Sequence, residues 1–155
     1  MIGRVLGLLC AATLWGQSLR VPPSSTHRKS HGSFTVFLDS PQGMAPVALQ
    51  WEFQIPPAVK IGAADIVAGK AAEASGKSLT CGVRANQPAD GVRYACILAG
   101  GVKPIANGSI AIVRYEVPAG VRRERVGVIL ENVVGASLDA KSAGIKGTTA
   151  VITIR

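Results

Sequence analysis

Two short runs, Ser78-Leu79-Thr80-Cys81-Gly82-Val83-Arg84 and Val92-Arg93-Tyr94-Ala95-Cys96-Ile97-Leu98, each carry one cysteine and alternate at period two. When Cys81 is set opposite Cys96, Val83 falls opposite Tyr94 and Leu79 opposite Leu98. The apolar and sulfur side chains then share one face. Between the runs, Asn86, Pro88 and Asp90-Gly91 supply residue types that reverse a chain. The pattern predicts an antiparallel β-hairpin clipped by a Cys81–Cys96 disulfide, in a protein folded where thiols oxidise.

The third cysteine, Cys10, does not compete for the pairing. Arg4 followed by the apolar run Val5–Trp15 reads as the charged and apolar parts of a secretion signal, too short to span a bilayer. Cleavage is expected near Gly16-Gln17-Ser18, so residues 1–17 leave and take Cys10 with them. Gly7-Leu8-Leu9-Cys10 lacks the small residue expected just before a lipid-modified cysteine. A zinc site on Cys81 and Cys96 would need more ligands, and the only histidines, His27 and His31, stand far upstream. The cysteines are therefore structural, with no metal or cofactor expected and no membrane-spanning helix in the mature chain.

Residues 18–32 contain Pro22-Pro23-Ser24-Ser25-Thr26 and scattered basic residues without a clear period, and read as a flexible linker. A first strand is expected at Ser33–Asp39, closed by Ser40-Pro41-Gln42-Gly43. Val47–Ile55 then alternates most clearly, with Val47, Leu49, Trp51, Phe53 and Ile55 on one face and Ala48, Gln50, Glu52 and Gln54 on the other. Trp51 accordingly belongs to the core and Gln50, Glu52 and Gln54 to a solvent-facing sheet surface. Gly69 and Gly76 limit the alanine-rich 71–74 stretch to a short turn of helix. Asn107-Gly108 reads as a turn into a strand at Ser109–Val117, whose inward face in its first half stays open. Further strands are expected at Val126–Val133 and Thr148–Ile154. Eight or nine short strands over residues 33–155 indicate one antiparallel β-sandwich domain.

The order of these pieces resembles the cohesin domain, within the superfamily of cohesins and cellulose-binding modules with a jelly-roll sandwich. The likeness is carried by Leu49–Val59 with its proline-marked turn, by Ile105–Val117 with its Asn-Gly turn, by Leu130-Glu131-Asn132-Val133, and by Gly147–Ile154. The cysteine-bearing segments resemble a stapled variety of these modules in small exported bacterial proteins. The resemblance implies a non-catalytic module that uses one flat sheet face, here the side of Gln50, Glu52 and Gln54, to hold an exported partner protein in adhesion or scaffolding. Its alternative is a carbohydrate-binding module contacting a polysaccharide.

The residues agree with a binding role. Residues 33–155 hold no histidine, and the nine carboxylates of the chain are scattered without a spacing that pairs any two. Net charge is +8, concentrated in residues 18–32 and in Arg122-Arg123-Glu124-Arg125. Arg122, Arg123 and Arg125 form a candidate anion-binding turn suited to weak contact with anionic polymer or lipid surfaces. With an export signal, nucleic acid is not an expected partner, and the place expected for the chain is extracellular, cell-surface or periplasmic.

Overall fold

The computed structural model describes residues 16–155, so the expected signal segment, Cys10 included, lies almost wholly outside the described residues. In chain order the strands are β1 (Ser18–Arg20), β2 (Ser24–Thr26), β3 (Ser30–Asp39), β4 (Ala48–Ile55), β5 (Ile66–Ala68), β6 (Ser78–Val83), β7 (Val92–Ala99), β8 (Gly108–Val117), β9 (Glu124–Ala136), β10 (Ser142–Gly144), β11 (Lys146–Gly147) and β12 (Thr149–Ile154). A 3-10 turn at Ala63–Asp65 and one short helix, α1 (Lys70–Ala74), complete them. Helix α1 begins after Gly69 and ends before Gly76, as the two glycines dictate.

One sheet runs β11-β1-β3-β8-β5 and the other β2-β12-β9-β4-β7-β6, with β10 against β9. Their inward residues make one core. Phe34, Val36 and Leu38 of β3 and Val113, Tyr115 and Val117 of β8 pack from one sheet. Leu49, Trp51, Phe53 and Ile55 of β4, with Val126, Val128 and Leu130 of β9, close from the other. Phe53 meets Phe34 edge-on at 5.8 Å across the layers and stacks on Tyr94 at 4.9 Å within its own sheet. The alternation of β4 thus assigns Trp51 correctly to the interior, where it is fully buried.

The expected sandwich is present, with two refinements. Most pairings are antiparallel, but β1 pairs β11 and β2 pairs β12 in parallel, so both sheets are mixed. Both parallel pairs come from residues 18–32, where a linker was expected. Leu19 and Val21 are buried core residues, and Arg20 pairs with Asp39 at 2.6 Å while lying over the Phe37 ring. Pro22-Pro23 stands where the chain crosses from one sheet to the other, so the prolines mark a passage between strands instead of a tether. The folded domain therefore reaches back to Gln17, which is buried and whose carbonyl accepts from the Lys146 amide at 3.1 Å.

The open question about β8 is answered by a bulge. Val36 pairs with Ala111 but Phe37 with Ser109, which leaves Ile110 as the extra residue. Ile110 and Ala111 are consequently both buried, and the phase inverts between the two halves of the strand. Asn107 holds the entrance to β8: its amide accepts from the Ser40 N–H and donates to the Ser40 carbonyl, both at 2.8 Å.

Candidate functional site

The hairpin register sets the site's geometry. Cys81 pairs with Cys96, Val83 with Tyr94 and Leu79 with Leu98, and the two sulfurs are bonded with their Cα atoms 4.1 Å apart. That separation suits a close, non-hydrogen-bonded cross-strand pair. Tyr94 points inward, donates its hydroxyl to the Ile61 carbonyl at 3.0 Å, and has its phenol pushed up by burial and secondarily by the charge of Asp65. Val83 shares the inward phase but is 61% exposed, because β6 is the sheet's last strand and Val83 its last residue.

On the opposite face, cross-strand partners line up in rows over β6, β7, β4 and β9. The first row is Thr80, Ile97, Gln50 and Val134; the second is Gly82, Ala95, Glu52 and Glu131. In a third, Arg93, Gln54 and Ile129 are neighbours. Cross-strand partners point to the same side of a sheet, so these residues form one surface. Ile97 is 51% exposed and Val134 46%, with Gln50 exposed between them.

The three residues predicted for this surface do lie together on it, but they are not equivalent. Gln50 is open to solvent and Gln54 half-buried, whereas Glu52 is only 4% exposed. Its carboxylate lies 3.1 Å from Arg84 Nε and 3.9 Å from Arg93 Nε, and accepts from Asn132 Nδ2 at 2.8 Å. Arg93 also reaches Glu131 at 2.8 Å and donates to Gln54 Oε1 at 3.2 Å. The expectation of a solvent-facing Glu52 is therefore corrected. Its neighbours toward the sheet edge, Ala95 and Gly82, are small, and nothing on that side holds the arginines off its carboxylate.

The surrounding backbone fixes this cluster. The register of β4 against β9 shifts between Gln50 and Glu52, and Asn132 there has φ 51°, a left-handed conformation that asparagine tolerates better than most residues. The shift turns the Asn132 amide toward Glu52. In the hairpin loop the Arg84 amide donates to the Arg93 carbonyl at 2.9 Å, and the Arg93 amide donates to Gln87 Oε1 at 2.7 Å. Arg84, at the start of the loop, and Arg93, the second residue of β7, are thus both held in place. Sequence periodicity located the face; its apolar members Ile97 and Val134 were overlooked, although Ile97 already has the phase opposite to Cys96 and Leu98.

Elsewhere the described residues bring few titratable groups together. A depression of about 720 Å³ lined by His31, Lys60, Asp65, Arg114, Tyr115 and Glu116 holds two carboxylates, but Asp65 is committed to the Gly62 amide at 2.8 Å. Among the described residues no three His, Cys, Asp or Glu side chains gather as a metal would require, and no helix is long and apolar enough to cross a membrane. Arg122, Arg123 and Arg125 are all exposed on the connection into β9 and its first residues.

No protein-family model matches the chain, and no curated protein does. Solved structures do. A non-cellulosomal cohesin from the hyperthermophilic archaeon Archaeoglobus fulgidus superposes with a TM-score of 0.73 at 12% identity, over 90% of this chain and 91% of that one. The sixth cohesin of Acetivibrio cellulolyticus scaffoldin B, solved with a Cel5 dockerin, gives 0.73 at 11% identity over 90% and 99%. A Clostridium thermocellum OlpA cohesin, in a type I cohesin–dockerin complex, gives 0.67 at 14% over 90% and 99%. The chain therefore has a cohesin-like β-sandwich fold.

Proposed function

We propose that this chain is a non-catalytic module that holds a partner protein on the outer face of β6-β7-β4-β9, in an exported adhesion or scaffolding assembly. The observation that carries the reading is the row Ile97, Gln50, Val134, in which two half-exposed aliphatic side chains flank a polar one on a flat surface. Beside it stands the ion cluster of Glu52, Arg84, Arg93 and Glu131. Exposed aliphatic side chains set beside fixed polar groups are what a specific protein interface needs. Two of the similar solved structures are complexes with dockerins, which supports a protein partner for this fold.

The alternative, a polysaccharide stacked on this face, lacks its usual platform. Trp51, Phe53, Tyr94, Phe34 and Tyr115 are buried in the core, and Phe37 lies under Arg20. Export is supported by the Cys81–Cys96 bond, which persists in oxidising compartments. We place the signal cleavage on the N-terminal side of Gln17, because Gln17 is part of the fold.

The test is affinity capture from the producing cells' secreted proteins, run beside a polysaccharide panel. A partner retained by the wild-type domain and lost by Gln50→Arg with Ile97→Asp, at unchanged thermal stability, supports the reading. Binding to a neutral glycan with no protein captured refutes it. Glu52→Arg is a poor probe of contact here, since it would break the cluster beneath the surface.

A further inference from the structure

Two basic segments far apart in sequence meet at one end of the sandwich. The Arg28 amide donates to the Arg155 carbonyl at 3.1 Å, and the Arg155 amide donates to the Thr26 carbonyl at 2.9 Å. These bonds tie the turn between β2 and β3 to the last residues of β12. The connection from β8 to β9 closes the same end, leaving a depression of about 780 Å³ lined by His27, Arg28, Lys29, Ala119, Arg123, Ile154 and Arg155.

We propose that this depression binds an acidic polysaccharide. Arg28, Lys29, Arg123 and Arg155 line it, Arg122 and Arg125 flank Arg123 in the chain, and Glu124 is the one acidic side chain among these segments. Among the described residues none of those cations lies within ion-pair distance of an acidic side chain, so their charge is uncompensated at this end. Unpaired like charges repel one another, and an anion neutralises that repulsion. Five of the six are arginines, whose planar forks match carboxylate and sulfate oxygens two at a time. The turn is held in a defined shape by the two backbone bonds and by Lys29 at φ 55°.

The surroundings favour a glycan over other polyanions. No Phe, Tyr or Trp lines the depression, so unpaired bases would find no large aromatic platform there, only the His27 ring and the arginine planes. The one large aliphatic residue that lines it, Ile154, is buried in the core, and the exposed ones, such as Ile97 and Leu138, lie elsewhere, so acyl chains would gain little insertion there. The site does not depend on the sheet-face reading, and a module with both would hold a protein on its face while resting on an acidic matrix at its end.

The test measures binding of the folded domain to polygalacturonate and to heparin, with dextran as neutral control and with duplex DNA and phosphatidylglycerol vesicles as rival polyanions. Lys29→Glu with Arg123→Glu is compared with Lys103→Glu with Lys141→Glu, which makes the same total charge change elsewhere. Wild type is expected to bind the acidic polysaccharides at about 0.15 M salt and to release as salt rises. The first pair should weaken binding by about tenfold or more, and the second by less than about threefold. Equal losses in the two pairs would reduce the effect to net charge and overturn the proposal. So would unchanged binding in the first pair, or tighter binding to the DNA or the vesicles.

Discussion

Replacing Cys81 and Cys96 together with alanine should lower stability without abolishing the fold. The bond closes a loop with a sequence separation of 15. In the chain-entropy account, freeing a loop of that size costs about 3 kcal/mol, by allowing the unfolded chain more conformations. Cys96 is fully buried and Cys81 partly so, and removing the buried sulfur adds about 1 kcal/mol of lost packing. For a domain of this length each kcal/mol moves the midpoint by about 2–4 °C, so the expected fall is about 8–16 °C. The assay is thermal unfolding followed by far-ultraviolet circular dichroism and by fluorescence of the buried Trp51. Amide exchange on the same variant should show β6 opening first, since it is the end strand held through β7. A fall of less than about 2 °C would refute the staple argument. Complete unfolding at 25 °C would also refute it, by showing that the core built on β3, β4, β8 and β9 does not stand alone.

Burial raises the phenols of Tyr94 and Tyr115, and for Tyr115 the neighbouring hydroxyls of Ser24 and Thr26 offset this only in part. Their contribution to stability is therefore complete below the ordinary value of 10.0 and is lost as pH climbs above it, where the unfolded chain releases protons that the folded one keeps. Lys77, lowered by burial, works in the opposite sense up to 10.5. Absorbance of tyrosinate should rise with alkaline unfolding and not before it; titration of both phenols at pH 10 in the folded protein would contradict their burial. Asn107→Ala removes two bonds to the Ser40 backbone and should cost about 1–3 kcal/mol in denaturant unfolding. Glu52→Ala leaves Arg84 and Arg93 facing each other; because Arg84 is half exposed, the expected loss is only about 1–2 kcal/mol, and it should shrink in high salt.

Strand β4 and the β6–β7 hairpin were legible in the sequence because each carries its own evidence: a long alternation in one, two cysteines in register in the other. The strands in residues 18–32 were not, for each is three residues long and gains its pairing from β3, β11 or β12, far away in the chain. A run as short as Leu19-Arg20-Val21 has almost no period to detect, and Pro22-Pro23 argued against it locally. The inversion at Ile110 follows from a bulge that only the partner strand reveals. Gln50, Glu52 and Gln54 were correctly placed on one face, yet period two says nothing of what lies over a side chain. Glu52 is covered by Arg84 from the hairpin loop, by Arg93 from β7 and by an asparagine from β9. The basic end is a further case, since Arg28, Lys29, Arg123 and Arg155 become neighbours only when the chain is folded.

The claim that the outer face of β6-β7-β4-β9 holds a protein is tested most directly by amide exchange of the domain, free and with its captured partner bound. Protection is expected over residues 50–54, 93–97 and 129–134, with β1, β3 and β8 unchanged. Protection confined to β1, β3 and β8, with the row of Ile97, Gln50 and Val134 exchanging as in the free domain, would contradict the account.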